Sequence, residues 1–205
     1  VNGQQVCHHE NGYEAFSCDI TEALAEENEI VIRCRDDLKD QSFPYGKQVS
    51  PEKRGGMWYT PVSGIWQTVW LESVPENHIR KLNIVNRGYG VTISAEPELE
   101  GTVIVPGLGE FPLGSTITPE NPHFWSPEDP YLYDFTVETA EDKVESYFAI
   151  RSLEIKTVEG TPRLCLNGKP YFFHGLLDQG YWPDGLFTPA APECYANDIL
   201  AMKRL

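Results

Sequence analysis

Basic side chains are scarce in these 205 residues: Lys and Arg number 16 against 31 Asp and Glu, for a formal net charge of −15. So negative a surface repels phosphate backbones and anionic lipid headgroups, which excludes nucleic acid and a membrane surface as expected partners. Long apolar runs are missing too. None approaches the roughly 20 residues a membrane-spanning helix needs. Cysteine is sparse: Cys7, Cys18, Cys34, Cys165 and Cys194 make an odd number. No two have the close spacing of a zinc site, so no metal is expected. Free thiols in a reducing compartment are the expectation, which favours a cytoplasmic location. His8 and His9 sit beside Cys7, but neighbours on a strand point to opposite faces and do not share an ion. A start methionine and a leader-like segment are also missing, and Ala201 to Leu205 stops in an apparent helix without a cap. Both ends are therefore expected to be cut from a longer polypeptide.

Aromatic residues are plentiful: 5 Trp, 10 Tyr and 9 Phe, or 12% of the chain. They supply the burial that offsets chain entropy, so a folded chain of one or two domains is expected. Glu29 to Asp36 alternates Ile30, Ile32 and Cys34 against Val31, Arg33 and Arg35, which predicts a strand with one buried face. Asp19-Ile20-Thr21-Glu22 has the form of a helix N-cap, with room for one turn. Residues 37–57 are polar and carry Pro44, Gly46, Pro51, Gly55 and Gly56. They predict a long functional loop. Ile65 to Leu71 resumes as a strand, with Trp66 and Trp70 on one face and assigned to the core.

From Ile79 to Arg151 short segments of strand character recur between Gly and Pro signals: Ile79–Val85, Gly90–Ala95, Thr102–Val105, Ser115–Thr118, Leu132–Thr139 and Val144–Arg151. This spacing predicts a small antiparallel sandwich. Leu164-Cys165-Leu166 and Tyr171-Phe172-Phe173 flank Asn167-Gly168, the signature of a two-residue hairpin. An aromatic loop follows, and then Tyr195, Ile199 and Met202 recur at helical spacing. Strand, loop and helix make one β/α unit. About 50 residues cannot close an eight-fold barrel, which takes roughly 250.

Several ordered motifs together resemble glycoside hydrolase family 2, the family of β-galactosidases and β-glucuronidases. Val1-Asn2-Gly3-Gln4, His9, Gly12-Tyr13-Glu14-Ala15-Phe16 and Asp19-Ile20-Thr21 are similar to the latter half of its sugar-binding jelly roll. Tyr59-Thr60-Pro61-Val62-Ser63-Gly64-Ile65-Trp66-Gln67-Thr68-Val69-Trp70-Leu71-Glu72 resembles that domain's last strand. Trp125-Ser126-Pro127 with Pro130-Tyr131-Leu132-Tyr133 is similar to the immunoglobulin-like middle domain. Ala149-Ile150-Arg151 and Leu166-Asn167-Gly168-Lys169-Pro170 resemble the approach to the first barrel strand. The resemblance implies a mainly β chain: the C-terminal part of a jelly roll over 1–74, an immunoglobulin-like β-sandwich over 75–155, and the start of a TIM barrel over 156–205.

The same resemblance implies a retaining glycosidase acting on terminal β-linked sugars, β-galactosidase-like first and β-glucuronidase-like second. Its two catalytic glutamates would come from barrel strands beyond Leu205, so no catalytic residue is expected here and the chain alone is expected to be inactive. The retaining mechanism requires no cofactor. Carbohydrate is the implied partner, and a homo-oligomer is left open. The expected substrate contacts are Asp178 and Gln179, which follow the first barrel strand, with Trp182 and Trp58 as aromatic platforms. The run Leu177-Asp178-Gln179-Gly180 stands where well-known β-galactosidases carry Asn-Arg-His-Glu. The loop Tyr45-Gly46-Lys47-Gln48 is one that family members direct towards the barrel mouth. Arg151 is expected to satisfy carbonyls at a junction. The rival is a sandwich module that holds carbohydrate or a partner protein without chemistry.

Overall fold

The computed structural model describes residues 1–37, 40, 42, 44, 46–49, 53 and 55–205. Tyr45 and Pro51 lie outside the described residues. The chain forms two compact units, residues 71–175 and residues 1–70 with 176–205.

The strands of the 71–175 unit pair antiparallel, with one isolated parallel bridge between Phe124 and Ile150. β1 (Lys81–Arg87), β2 (Gly90–Glu96) and β5 (Thr116–Ile117) make one sheet in the order β1-β2-β5. β3 (Gly101–Val105), β4 (Gly109–Pro112), β6 (Tyr133–Thr139) and β7 (Lys143–Phe148) make a second, ordered β4-β3-β6-β7. Side chains alternate across each strand, so every second residue goes inward. β2 contributes Val91 and Ile93, β3 contributes Val103 and Val105, and β6 contributes Tyr133, Phe135 and Val137 to one buried cluster. Ile117, Phe148 and Ile150 complete it. Register carries the pattern between strands: Val103 faces Val137, and Val137 faces Val144. The strands expected from the sequence are found here within two or three residues at either end. β4 was not expected, because Gly109 and Pro112 argue against a strand. Its position at the sheet edge tolerates both, since only β3 pairs with it.

A third sheet, β8 (Leu153–Val158), β9 (Thr161–Leu166) and β10 (Lys169–Pro170), closes the unit. Both of its turns place two consecutive residues at positive φ: Glu159 and Gly160 at 52° and 77°, Asn167 and Gly168 at 51° and 78°. That geometry matches the right-handed twist of the strands it joins. Asn167 also fastens the turn. Its Nδ2 donates to Trp125 O at 3.0 Å, and its Oδ1 accepts from Ser152 N at 3.1 Å. The expected strand Tyr171–Phe173 is corrected. Tyr171 N donates to Leu164 O, but no ladder follows among the described residues, and Phe172 is 84% exposed. A barrel strand is held by ladders on both sides, and among the described residues this segment has only that single bond to β9. The β/α unit thus keeps its helix, α1 (Glu193–Met202), without its strand.

The other unit is held by turns and side chains. Asn2 is one hub: its N donates to Glu29 O, its Oδ1 accepts from Glu29 N, and its Nδ2 reaches Ala23 O, each at 2.9 Å. The expected helix turn is a 3₁₀ turn, Thr21–Ala23, with Asp19 Oδ1 accepting from Thr21 N. The strands expected over 29–36 and 65–71 are not formed among the described residues. No strand pairs with either segment among the described residues, and extended chain without a ladder is not a sheet. Trp70 is consequently 70% exposed, which corrects its assignment to the core. Trp66 is half-buried: its indole Nε1 donates to Gly12 O at 2.8 Å, and Phe187 meets its ring edge-on at 5.5 Å.

The expectation of five free thiols is also corrected. Cys7 and Cys18 form a disulfide with their Cα atoms 6.0 Å apart. The chain doubles back between them: Asn11 takes φ 103°, its Oδ1 accepts from Tyr13 N, and the His9 ring stacks on Phe16 at 4.4 Å. Cys34, Cys165 and Cys194 are free. With a disulfide present, the cysteines no longer favour a reducing compartment.

Candidate functional site

The loop before α1 brings its polar and aromatic residues together in the unit formed by residues 1–70 and 176–205. Trp182 and Leu186 pair as an isolated bridge, with backbone bonds of 2.8 and 3.0 Å closing Pro183-Asp184-Gly185 into a tight turn. Trp182 is anchored to the helix. Its indole donates to Asp198 Oδ2 at 3.0 Å, and its ring meets Tyr195 edge-on at 5.1 Å. Tyr181 stacks on Tyr59 with ring centroids 4.6 Å apart, and Phe187 packs edge-on against it at 5.5 Å. The Tyr181 hydroxyl donates to Thr60 O. Burial raises its phenol pKa above the usual value, and the neighbouring Tyr59 phenol adds to the effect.

These contacts frame an open cleft of about 340 Å³, lined by Tyr59, Thr60, Asp178, Gln179, Tyr181, Trp182, Pro183 and Leu186. The volume is at the small end of the about 300–1,000 Å³ usual for small-molecule sites. Gln179 is its most connected polar group. The amide oxygen accepts from the Tyr59 hydroxyl and from Lys47 Nζ, the latter at 3.1 Å. With the oxygen committed, the amide N–H groups donate to no acceptor among the described residues. Asp178 Oδ1 accepts from Gly180 N at 2.8 Å, which leaves Oδ2 to accept from a ligand. Lys47 and Gln48 belong to one loop with different fates. Gln48 is buried and accepts from Val62 N at 2.6 Å, while Lys47 reaches the cleft through Gln179.

Of the residues expected to contact sugar, Asp178, Gln179 and Trp182 therefore line one cleft. Trp58 does not. It is 41% exposed and bonds through its backbone to Gly55. Tyr59 lines the cleft instead. The sequence signal was the Trp58-Tyr59 pair, where alternation sends only one ring inward. Asp184 is at the exposed tip of its turn. Arg151, in the 71–175 unit, lies over the Trp125 ring at 4.8 Å instead of satisfying carbonyls. Among the described residues no three His, Cys, Asp or Glu side chains cluster as a metal site. The arrangement can bind a polyhydroxylated ring: aromatic faces for its C–H surface, amide and carboxylate for its hydroxyls.

Residues 73–151 match the family model of glycosyl hydrolases family 2. A β-galactosidase of Thermoanaerobacter pseudethanolicus is 28% identical over 205 residues, covering 86% of this chain and 27% of that protein. A β-glucuronidase of Felis catus is 27% identical over 218 residues, covering 86% of this chain and 33% of the relative. The chain spans about a quarter to a third of the length of these curated relatives. A solved β-glucuronidase from Faecalibacterium prausnitzii superposes with a TM-score of 0.51 at 21% identity, covering 63% of this chain and 23% of that one. That likeness is one of fold.

Proposed function

We infer, from a chain whose residues 73–151 match the family model of glycosyl hydrolases family 2, that the whole protein is a retaining glycosidase for terminal β-linked sugars. These 205 residues supply β domains and part of the sugar-binding surface. Retaining hydrolysis needs two carboxyl groups about 5–5.5 Å apart, one to protonate the leaving oxygen and one to attack the anomeric carbon. We assign those groups to parts of the polypeptide other than this stretch. What this stretch contributes is grip. A sugar ring stacks in the Tyr59, Tyr181 and Trp182 cleft, the Gln179 amide donates to a ring hydroxyl, and Asp178 accepts from another. The observation that carries the reading is Gln179, oriented by Tyr59 and Lys47 at the mouth of an aromatic cleft.

A glucuronide is favoured over a galactoside by one contact. The Lys47 ammonium sits 3.1 Å from Gln179 Oε1, where a sugar carboxylate would meet a cation. Nitrophenyl β-galactoside and β-glucuronide test the reading. In the whole protein, Gln179→Ala raises KM about tenfold, the loss expected from a hydrogen bond to a polar ligand. Lys47→Ala raises it for the glucuronide alone. The 205-residue chain by itself turns over neither substrate. Turnover by the chain that disappears in Asp178→Asn or Asp184→Asn overturns the assignment of the catalytic groups elsewhere.

A further inference from the structure

The 71–175 unit carries a second concavity, an open groove of about 310 Å³ lined by Ile84, Asn86, Trp125, Leu132, Tyr147, Phe148, Ala149 and Arg151. Its polar groups are unusual in one respect. Arg151 takes part in none of the ion pairs among the described residues, although acids outnumber bases about two to one in this chain. Its guanidinium lies instead over the Trp125 ring, 4.8 Å from the centroid. Stacking of this kind uses the face of the guanidinium and leaves its N–H fork open at the rim. The indole N–H of Trp125, the amide of Asn86 and the hydroxyl of Tyr147 likewise make no hydrogen bond within the protein among the described residues. The Tyr147 side chain stands on an outward position of β7 and is 59% exposed.

We propose that this groove binds a uronic acid residue of an oligosaccharide, with its carboxylate on the Arg151 guanidinium. Three properties select that class. The fixed fork of an arginine matches a carboxylate bidentately. Aromatic and aliphatic walls, with Tyr147 presented to solvent, accept the C–H face of a ring. Asn86 and the indole N–H add donors and an acceptor for hydroxyls. A neutral sugar lacks the group that Arg151 is placed to read. A bare inorganic anion gains nothing from the apolar walls. The volume accommodates one sugar residue, not a chain of them.

This site shares no lining residue with the cleft at Gln179, and the experiment separates them. Isotope-labelled 205-residue chain is titrated with glucuronate and, in parallel, with glucose and acetate, while indole N–H and arginine Nε–H signals are followed. The five indole signals are assigned by single Trp→Phe substitutions. Glucuronate is expected to shift the Trp125 and Arg151 signals together, at least about tenfold more tightly than glucose or acetate, the difference a hydrogen-bonded charge makes. Arg151→Gln abolishes the shift of Trp125. Tyr147→Ala, at an exposed position that leaves the core intact, weakens it. Gln179→Ala leaves it unchanged. The proposal is overturned if glucose shifts Trp125 as strongly as glucuronate, if acetate alone matches glucuronate, or if only Trp182 responds. It is equally overturned if Tyr147→Ala and Arg151→Gln, both shown folded by their melts, bind glucuronate like the parent chain.

Discussion

At the scale of single residues, two tryptophans of one expected strand have separate physical roles. Trp66 is half-buried, bonds to Gly12 O and meets Phe187, whereas Trp70 faces solvent. Trp66→Ala removes packing and strands a carbonyl, so its cost approaches but does not exceed the about 3–5 kcal/mol of a fully buried tryptophan. Trp70→Ala stays within about 0.5 kcal/mol of the parent chain. Urea melts of the two variants check the contrast, and equal losses contradict it. Tyr181 offers a test by titration. Its phenol is held above the ordinary value by burial and by Tyr59. The folded chain thus keeps this proton to higher pH than the unfolded chain does. The stabilisation is complete below the unfolded tyrosine value of about 10 and is lost as pH rises through the folded value. Ultraviolet titration of phenolate should show a late-ionising tyrosine that is absent in Tyr181→Phe. A titration curve unchanged by that substitution refutes the burial of this hydroxyl.

Among the elements, hairpins and sandwich strands were legible in the sequence because their signals are local. Asn167-Gly168 specifies a turn by backbone preference alone, and alternation in Val91, Ile93 and Ala95 needs only one covered face. The strands over 29–36 and 65–71 were misread because alternation announces a face to be buried and says nothing of whether a partner backbone is present to pair with it. The cleft was half legible. Asp178, Gln179 and Trp182 lie within five residues of one another, but Tyr59 and Lys47 reach them from more than a hundred residues away; the Lys47 loop is legible only through the family resemblance, and Tyr59 carries no signal of its own beside Trp58. The Cys7–Cys18 bridge was missed for a related reason, since it depends on the reversal at Asn11. Two element-scale outcomes follow from close packing. Asn167→Gly keeps the positive φ but loses the bonds to Trp125 O and Ser152 N, each hydrogen bond being worth about 0.5–1.5 kcal/mol net, so thermal melting should fall measurably. Gly101→Ala should be worse than an ordinary strand substitution, because the added Cβ would stand 2.7 Å from Glu138 O on the paired strand. If Gly101→Ala melts at or above the parent temperature, that close approach is wrong.

On the scale of the whole molecule, burial is unevenly shared. The buried cluster from Val91 to Ile150 lies entirely in the 71–175 unit. In the other unit Val1 and Gln48 are the buried residues among those described. Ladders follow the same division, since β1 to β10 all lie between Lys81 and Pro170. Local opening costs least where few apolar contacts and few protected backbone bonds must be broken. Residues 71–175 expressed alone should therefore fold cooperatively, with a single denaturant transition. Ile93→Ala in that fragment should lower its stability by about 2–5 kcal/mol, the usual cost of emptying a fully buried isoleucine site. In the 205-residue chain, amide hydrogen exchange should be slowest in β2, β3 and β6, which sit inside their sheets, and fast across 1–37 and 176–192, where, apart from Asn2 N to Glu29 O, the backbone pairs among the described residues only close turns. The helix Glu193–Met202 should exchange quickly as well, because its Ile199 and Leu200 side chains are exposed and short isolated helices are marginal in water. Uniformly slow exchange from Val1 to Leu205 in a dilute monomer would refute this division, since Phe172, Leu177 and Ile199 of the helix stand exposed. Slow exchange that appears only as concentration rises would instead assign that cover to a second copy of the chain, and sedimentation at the same concentrations would then show a dimer.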